Sequence, residues 1–210
     1  MVFNLHKIEP GRRREPDPQL MADHIKHYTD LVKERFKFTI TEENAAGFEA
    51  VLRTVAHLHI AKDDKCDVPE RGLFLFGEPG TGKTSMMHFL SGFCNIPILS
   101  ADELSKAFTL QSGEGFWGVA DSYKQSHLIV DDLGCEELCK SFGNTLPMAD
   151  FLRERERLWQ NSQKLTFFTS NAHDRNVLTA RYGKNVCSRL LGMCEFIAVG
   201  GPDHRPLRRA

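Results

Sequence analysis

Asp131 and Asp132 stand side by side at the end of SHLIVDDLG, residues 126–134. Two adjacent carboxylates at the mouth of an apolar run repel each other and resist desolvation, so something positive is expected opposite them. The chain offers a place for it at GEPGTGKT, residues 77–84, which fits the pattern G-x-x-x-x-G-K-[ST]. Gly77, Gly80 and Gly82 let the backbone curl so that its N–H groups face a phosphate chain, and a helix starting at Lys83 turns its positive end toward the same anion. The ATP-binding stretch is thus expected to run from Gly77 through Glu78, Pro79, Gly80, Thr81, Gly82, Lys83 and Thr84 to Ser85. Lys83 would reach the β- and γ-phosphates and the Thr84 hydroxyl would ligate Mg²⁺. Asp131 would hold the same ion through water, from a strand directly beside the one that leads into the glycine loop. Asp132 would orient and deprotonate a water attacking the γ-phosphate; its alternative is a capping or turn role before Gly134. A Glu would reach further, so Asp here points to slow turnover or to a geometry that a partner completes.

Two more polar groups lie where such a reaction needs them. TSN, residues 169–171, closes another apolar run. Asn171 there can hydrogen-bond both the attacking water and the phosphate, or open the next helix as an Asx turn. NVCSRLLG, residues 185–192, puts Arg189 on a helix with Val186, Leu190 and Met193 turned inward. An Arg at that point can complete a neighbouring subunit's site and neutralise transition-state charge, or be a plain surface residue.

The elements that must position these groups follow from hydrophobic periodicity. Met21, Ile25, Tyr28, Val32 and Phe36 recur at steps of three and four after Pro18, which predicts an amphipathic helix. FKFTI, 36–40, alternates like a short strand, and Thr39 or Thr41 caps a second helix with Phe48, Val51, Leu52, Val55 and His59 on one stripe. After a polar connection at 62–70 the pattern becomes short apolar runs at 73–76, 96–99, 127–131, 165–170 and 196–199, separated by helical stretches. Strands without polar alternation and with helices between them imply a parallel sheet covered on both faces. Pro147 opens a further helix with Met148, Phe151, Leu152, Leu158 and Trp159 on one side and RERER, 153–157, on a face expected to be solvated.

Composition limits the function classes. The 210 residues include 41% hydrophobic and 26% charged types at a formal net charge of −1, ordinary for a globular protein and not that of a general nucleic-acid binder. Basic character is local, in GRRR at 11–14 and RPLRRA at 205–210, both expected to be solvated ends. The six cysteines show no pairing or zinc-site spacing and are read as reduced thiols. No apolar run approaches 18 residues and the start lacks a signal-peptide core, so a cytoplasmic, non-membrane protein is expected.

On GEPGTGKT, LIVDDLG, the FGN…M…FL…R stretch at 142–153, TSN, YGKNVCSRLL and the closing GPDHRP, the chain resembles an AAA+ ATPase over roughly residues 70–206. More narrowly, it resembles the DnaC/IstB-type helicase-loader branch. The resemblance implies an α/β P-loop NTPase fold with an AAA+ core: a five-stranded parallel sheet with helices on both faces, no full helical lid and a short helical N-terminal extension. It divides the chain into a flexible tail at 1–17, a helical extension at 18–69, the ATPase core at 70–206 and a basic tail at 207–210. Lys83 and Thr84 match the Walker A lysine and threonine, Asp131 and Asp132 the Walker B pair, Asn171 sensor 1 and Arg189 the trans-acting arginine finger. Arg205, in HRP, resembles the sensor-2 arginine that loaders carry without a full lid. ATP and Mg²⁺, a nucleotide-dependent homo-oligomer, and a replicative helicase or a transposase as partner come with that resemblance. The departure is at the N-terminus, where about 69 residues stand in place of a distinct helicase-gripping domain.

In the loader branch, helices between the second and the acidic strand contribute to single-stranded DNA contact, which makes Lys106, Phe108, Phe116, Trp117 and Lys124 candidates. Stacked bases want exposed aromatics beside cations, whereas aromatics at helical spacing also pack into cores. The competing functions are an IstB-type transposition helper, a P-loop kinase, for which the chain offers no acceptor-binding motif, and an ATP-bound scaffold that does not hydrolyse.

Overall fold

The five apolar runs pair into one sheet. In the computed structural model, which describes residues 13–36, 38–110, 118, 121–136, 147–172 and 174–204, the strands are β1 (Gly72–Phe76), β2 (Ile98–Ser100), β3 (Leu128–Asp131), β4 (Thr166–Ser170) and β5 (Cys194–Ala198). Every pairing is parallel and the order is β2-β3-β4-β1-β5. The acidic strand is therefore not beside the strand that feeds the glycine loop: β4 lies between them. The reason is legible in β4 itself, all five of whose residues are buried, as a strand covered on both faces and paired on both edges must be.

Seven helices are seen among the described residues: α1 (Pro18–Phe36), α2 (Glu42–Lys62), α3 (Lys83–Cys94), α4 (Ala101–Leu110), α5 (Pro147–Ser162), α6 (Arg175–Tyr182) and α7 (Lys184–Met193). The period-two geometry of the strands sorts the core into two halves. Leu73, Leu75, Ile129 and Phe167 face α1, α2 and α3, meeting Val32, Val51, Val55, Met86 and Leu90. Phe74, Leu128, Val130 and Phe168 face the other side, meeting Leu104, Phe151, Leu152, Leu178, Leu190 and Met193 from α4 to α7. Full burial of each such side chain contributes about 1.5–3 kcal/mol. The N-terminal helices thus share a hydrophobic core with α3 and one face of the sheet.

Three local expectations change. The described residues of FKFTI form no strand: α1 runs to Phe36, residues 38–40 have no regular structure, and Phe38 wedges between Phe48 and Phe89. The aromatic alternation there serves helix packing. RERER is not wholly solvated either, because Arg155 is 1% exposed. It donates to Thr166 Oγ1 (2.8 Å) and to the carbonyls of Tyr123 (2.9 Å), Ser126 (3.1 Å) and Leu165 (3.1 Å). Burial pulls its guanidinium down to about 10, still charged at neutral pH. Finally, β5 starts at Cys194, directly after α7.

Thr41 is the N-cap of α2, and its N–H donates to Asn44 Oδ1 at 2.8 Å, so the second of the two threonines named as caps is the one used. Arg14, from the basic GRRR stretch, pairs with Asp64 at 2.8 Å while its side chain stays 55% exposed. Cys66, Cys94, Cys135, Cys187 and Cys194 are free thiols, and Cys139 lies outside the described residues. No helix among the described residues is long and apolar enough to cross a membrane.

Candidate nucleotide-binding site

The glycine loop leaves the tip of β1, where Gly77 N donates to Ser170 O at 3.3 Å. Two of its glycines are required by geometry. Gly77 has φ +140° and a Cβ there would lie 2.3 Å from Val199 O; Gly80 has φ +81° and its Cβ would lie 1.9 Å from Asp203 Oδ1. Glu78 and Pro79 form the exposed tip, Thr81 is buried with its hydroxyl donating to Glu78 O at 3.0 Å, and Gly82 is the left-handed N-cap of α3. Lys83 is 5% exposed, and its ammonium donates to Gly77 O at 2.8 Å and Glu78 O at 2.6 Å. A buried cation is thereby fixed over the hollow of the loop, at the positive end of α3. Thr84 and Ser85 follow in the first turn of that helix.

The acid pair meets this loop through hydroxyls. Thr84 Oγ1 donates to Asp131 Oδ1 at 3.0 Å, and Thr169 Oγ1 donates to the same oxygen at 2.5 Å. Thr169 Oγ1 also accepts from Asp132 N at 2.8 Å. Asp132 is held at φ +57°, a left-handed conformation that Asp tolerates better than most residues and that recurs where function demands strain. Asn171 Nδ2 donates to Asp132 Oδ1 at 3.2 Å and lies 3.6 Å from Cys135 Sγ. Lys83, Thr84, Asp131, Asp132 and Asn171 are thus gathered at the C-terminal ends of β1, β3 and β4, the end of an open α/β sheet where ligands bind.

Residues that sequence reasoning passed over complete the surroundings. Thr169 sits in the TSN triplet, yet only its Asn drew attention; a polar residue on an inward position of an apolar strand was the signal. Glu136, five residues after Asp131, is 5% exposed and bonds Arg181 and Tyr182 of α6. Beyond β5, residues 200–204 return over the loop: Gly200 N donates to Glu43 O at 3.0 Å, His204 N donates to Gly80 O at 3.1 Å, and the Asp203 carboxylate lies against Gly80. His204 Nε2 is buried without a partner among the described residues.

Arg189 stands apart from this cluster, on the exposed side of α7, where its guanidinium pairs with Glu156 of α5. Val186, Leu190 and Met193 are buried, as the helical spacing requires. Lys106 and Lys124 pair within their own segments, with Asp102 at 2.5 Å and Asp121 at 2.6 Å. Arg205, Phe116, Trp117 and the side chain of Phe108 lie outside the described residues.

The residues fit a Mg²⁺-bound nucleoside triphosphate. Mg²⁺ takes hard oxygens, with one or two protein ligands and phosphates as the rest, and Thr84 Oγ1 and Asp131 Oδ1 supply such a pair 3.0 Å apart. Gly80, at φ +81°, and the buried Lys83 ammonium suit a phosphate chain.

No family model matches the chain, and no curated protein sequence matches it. Solved structures do. The chain is similar to the crystal structure of the DnaC helicase loader, at 21% identity and a TM-score of 0.55 over 77% of this chain and 94% of that one. It is also similar to a putative primosome component from Streptococcus pyogenes serotype M3, at 23% identity and a TM-score of 0.55 over 79% of this chain and 86% of that one. At that identity the likeness is one of fold. The chain has an α/β P-loop fold, with a five-stranded parallel sheet, similar to that of these two structures.

Proposed function

We propose that this chain binds and hydrolyses ATP as a helicase-loader-type AAA+ switch, converting ATP and water to ADP and phosphate and oligomerising with nucleotide. The observation that carries the reading is the run of hydrogen bonds Thr84–Asp131–Thr169–Asp132–Asn171 across the tips of β3 and β4 and the start of α3. Lys83 holds the β- and γ-phosphate oxygens in exchange for the loop carbonyls it now contacts. Thr84 and Asp131 would hold Mg²⁺, which when bound would draw off phosphate charge. Asp132 accepts a proton from the attacking water as its oxygen bonds the γ-phosphorus, and the β–γ bridging P–O bond breaks with its electron pair left on ADP. Asn171 keeps Asp132 turned to that water.

Arg189 acts in trans in this reading: released from Glu156, it covers a neighbour's γ-phosphate from the side that Lys83 leaves open. The partner reading, a replicative helicase handled in the cytoplasm with single-stranded DNA near Lys106 and Lys124, rests on the shared fold with a helicase loader and on the motif resemblance. An IstB-type transposase partner would use the same ATP chemistry. Asp132→Asn tests the assignment: it should bind Mg²⁺-ATP as the parent does and lose most turnover, since an amide orients water but cannot take its proton. Equal turnover by variant and parent would move the base elsewhere.

A further inference from the structure

Glu136 is a buried carboxylate that the reaction above does not use. Its side chain is 3% exposed, a position where a charge is costly unless fully partnered and where an apolar side chain would often serve folding better. The partners come from two directions. Gly134 N, in the turn that follows Asp132, donates to Oε2 at 2.8 Å. Arg181 Nε donates to Oε1 at 3.0 Å, Tyr182 Oη donates to the same oxygen, and a second Arg181 nitrogen donates to the Glu136 carbonyl. Burial first, then the Glu136 charge, raise the Tyr182 phenol far above its ordinary value, so it remains a donor throughout the accessible pH range.

Each end of this contact is itself rigid. On the near side the turn is fixed to β4: Leu133 N donates to Thr169 O at 2.8 Å, Ser170 Oγ to Leu133 O at 2.7 Å, and Cys135 N to Asp132 O at 3.1 Å. On the far side Arg181 and Tyr182 form the last turn of α6, which passes into α7 through a single residue. Gly183, at φ +85°, is both C-cap of α6 and N-cap of α7, with its N–H on Thr179 O at 2.9 Å and its carbonyl accepting from Cys187 N at 3.2 Å. One glycine with both its N–H and its carbonyl hydrogen-bonded thus joins α6 to α7, and α7 carries Arg189.

We propose that Glu136 is a positioning residue that latches the Asp132 turn to the α6–α7 pair, so that the base of one subunit's own site and the arginine it lends to a neighbour are set by the same carboxylate. The latch rests on the hydrolytic, shared-site reading. It explains why an acid stands five residues after Asp131 in a place that folding alone does not require, and it predicts that losing one carboxylate damages two sites.

The test uses full-length protein. Glu136→Gln should keep its ATP affinity within about twofold yet lose turnover about 10- to 100-fold, the size expected when catalytic groups are misplaced by about an ångström. Mixing assays separate the two ends. Lys83→Ala with Arg189→Ala should regain activity, one giving an intact finger and the other an intact pocket. Glu136→Gln should be rescued by neither: with Lys83→Ala its own pocket is slack, and with Arg189→Ala its finger is. Parental turnover by Glu136→Gln, or recovery in either of its mixtures, overturns the latch. If Glu136→Gln does not fold, Tyr182→Phe removes one hydrogen bond and keeps the ring; lowered kcat at unchanged KM supports the latch, and a parental kcat overturns it. If the Lys83→Ala and Arg189→Ala pair shows no recovery, the shared site itself is wrong, and the kcat of Glu136→Gln at unchanged KM judges the near end of the latch alone.

Discussion

Thr169 donates its hydroxyl hydrogen to Asp131 Oδ1 across 2.5 Å. Its own Oγ1 accepts from Asp132 N at 2.8 Å, so one side chain on β4 holds both acids at the end of β3. That arrangement follows from strand order: β4 lies between the acidic strand and β1, so its C-terminal end stands beside both acids.

Thr169→Val keeps the shape and removes the bridge. Asp132 N is left without its acceptor, which costs about 1–3 kcal/mol of stability. Turnover should fall at least about tenfold because the left-handed Asp132 loses its anchor. Steady-state ATPase rates and denaturant midpoints check both, and Thr169→Ser should recover most of each. A Thr169→Val protein with parental turnover would show that Asp132 is held by other groups.

The glycine loop, the adjacent acids at a strand end, the place of Asn171 beside them and all five strands were legible in the sequence because each is encoded locally, by spacing or by a continuous apolar run. Strand order was not, since runs such as LIVD and TFFTS look alike whichever lies central, and the adjacency expected for β1 and β3 was wrong for that reason. Arg155 and Glu136 were missed because a charge in a charged stretch reads as solvated; only the fold reveals the carbonyls and N–H groups that enclose them. Residues 38–40 failed differently: alternation of Phe38 with polar neighbours fits an edge strand and a wedge between two helices equally well.

Arg155→Met should destabilise the protein by about 3 kcal/mol or more. It removes the guanidinium from the Ser126 carbonyl and from Thr166 Oγ1, and takes one of the donors from the Tyr123 and Leu165 carbonyls, which keep Ser126 N and Leu128 N. For a chain of this size that lowers the thermal midpoint by about 6–12 °C. Calorimetry checks it, and a midpoint within a degree of the parent would mean that water replaces the guanidinium at no cost.

His127 gives a pH dependence with a defined sign. Burial first, then the charges of Lys164 and Arg155, lower it to about 4. Its Nδ1 accepts from Leu165 N at 3.0 Å, a bond that protonation there would break. The unfolded chain takes up this proton near the ordinary histidine value of about 6.5 and the folded chain only near 4, so stability is lost as pH falls through that window, on the order of 3 kcal/mol in all. His57, also lowered by burial, adds in the same direction. His127→Asn offers an acceptor to Leu165 N without a proton to gain, so its stability should fall less than the parent's between pH 6.5 and 4. Parallel curves for the two proteins would contradict a buried, neutral His127.

The central claim is that the loop at 77–84 binds the phosphates of ATP through Lys83. Thermal unfolding of the parent and of Lys83→Ala, each with Mg²⁺ and increasing ATP, tests it most directly. At ATP about 100 times its Kd the parent should gain about 2.7 kcal/mol, raising its midpoint by about 5–11 °C. Lys83→Ala should fold, by circular dichroism, and show no shift over the same range. An equal ATP-dependent shift in both proteins would contradict the phosphate-cradle assignment and the function built on it.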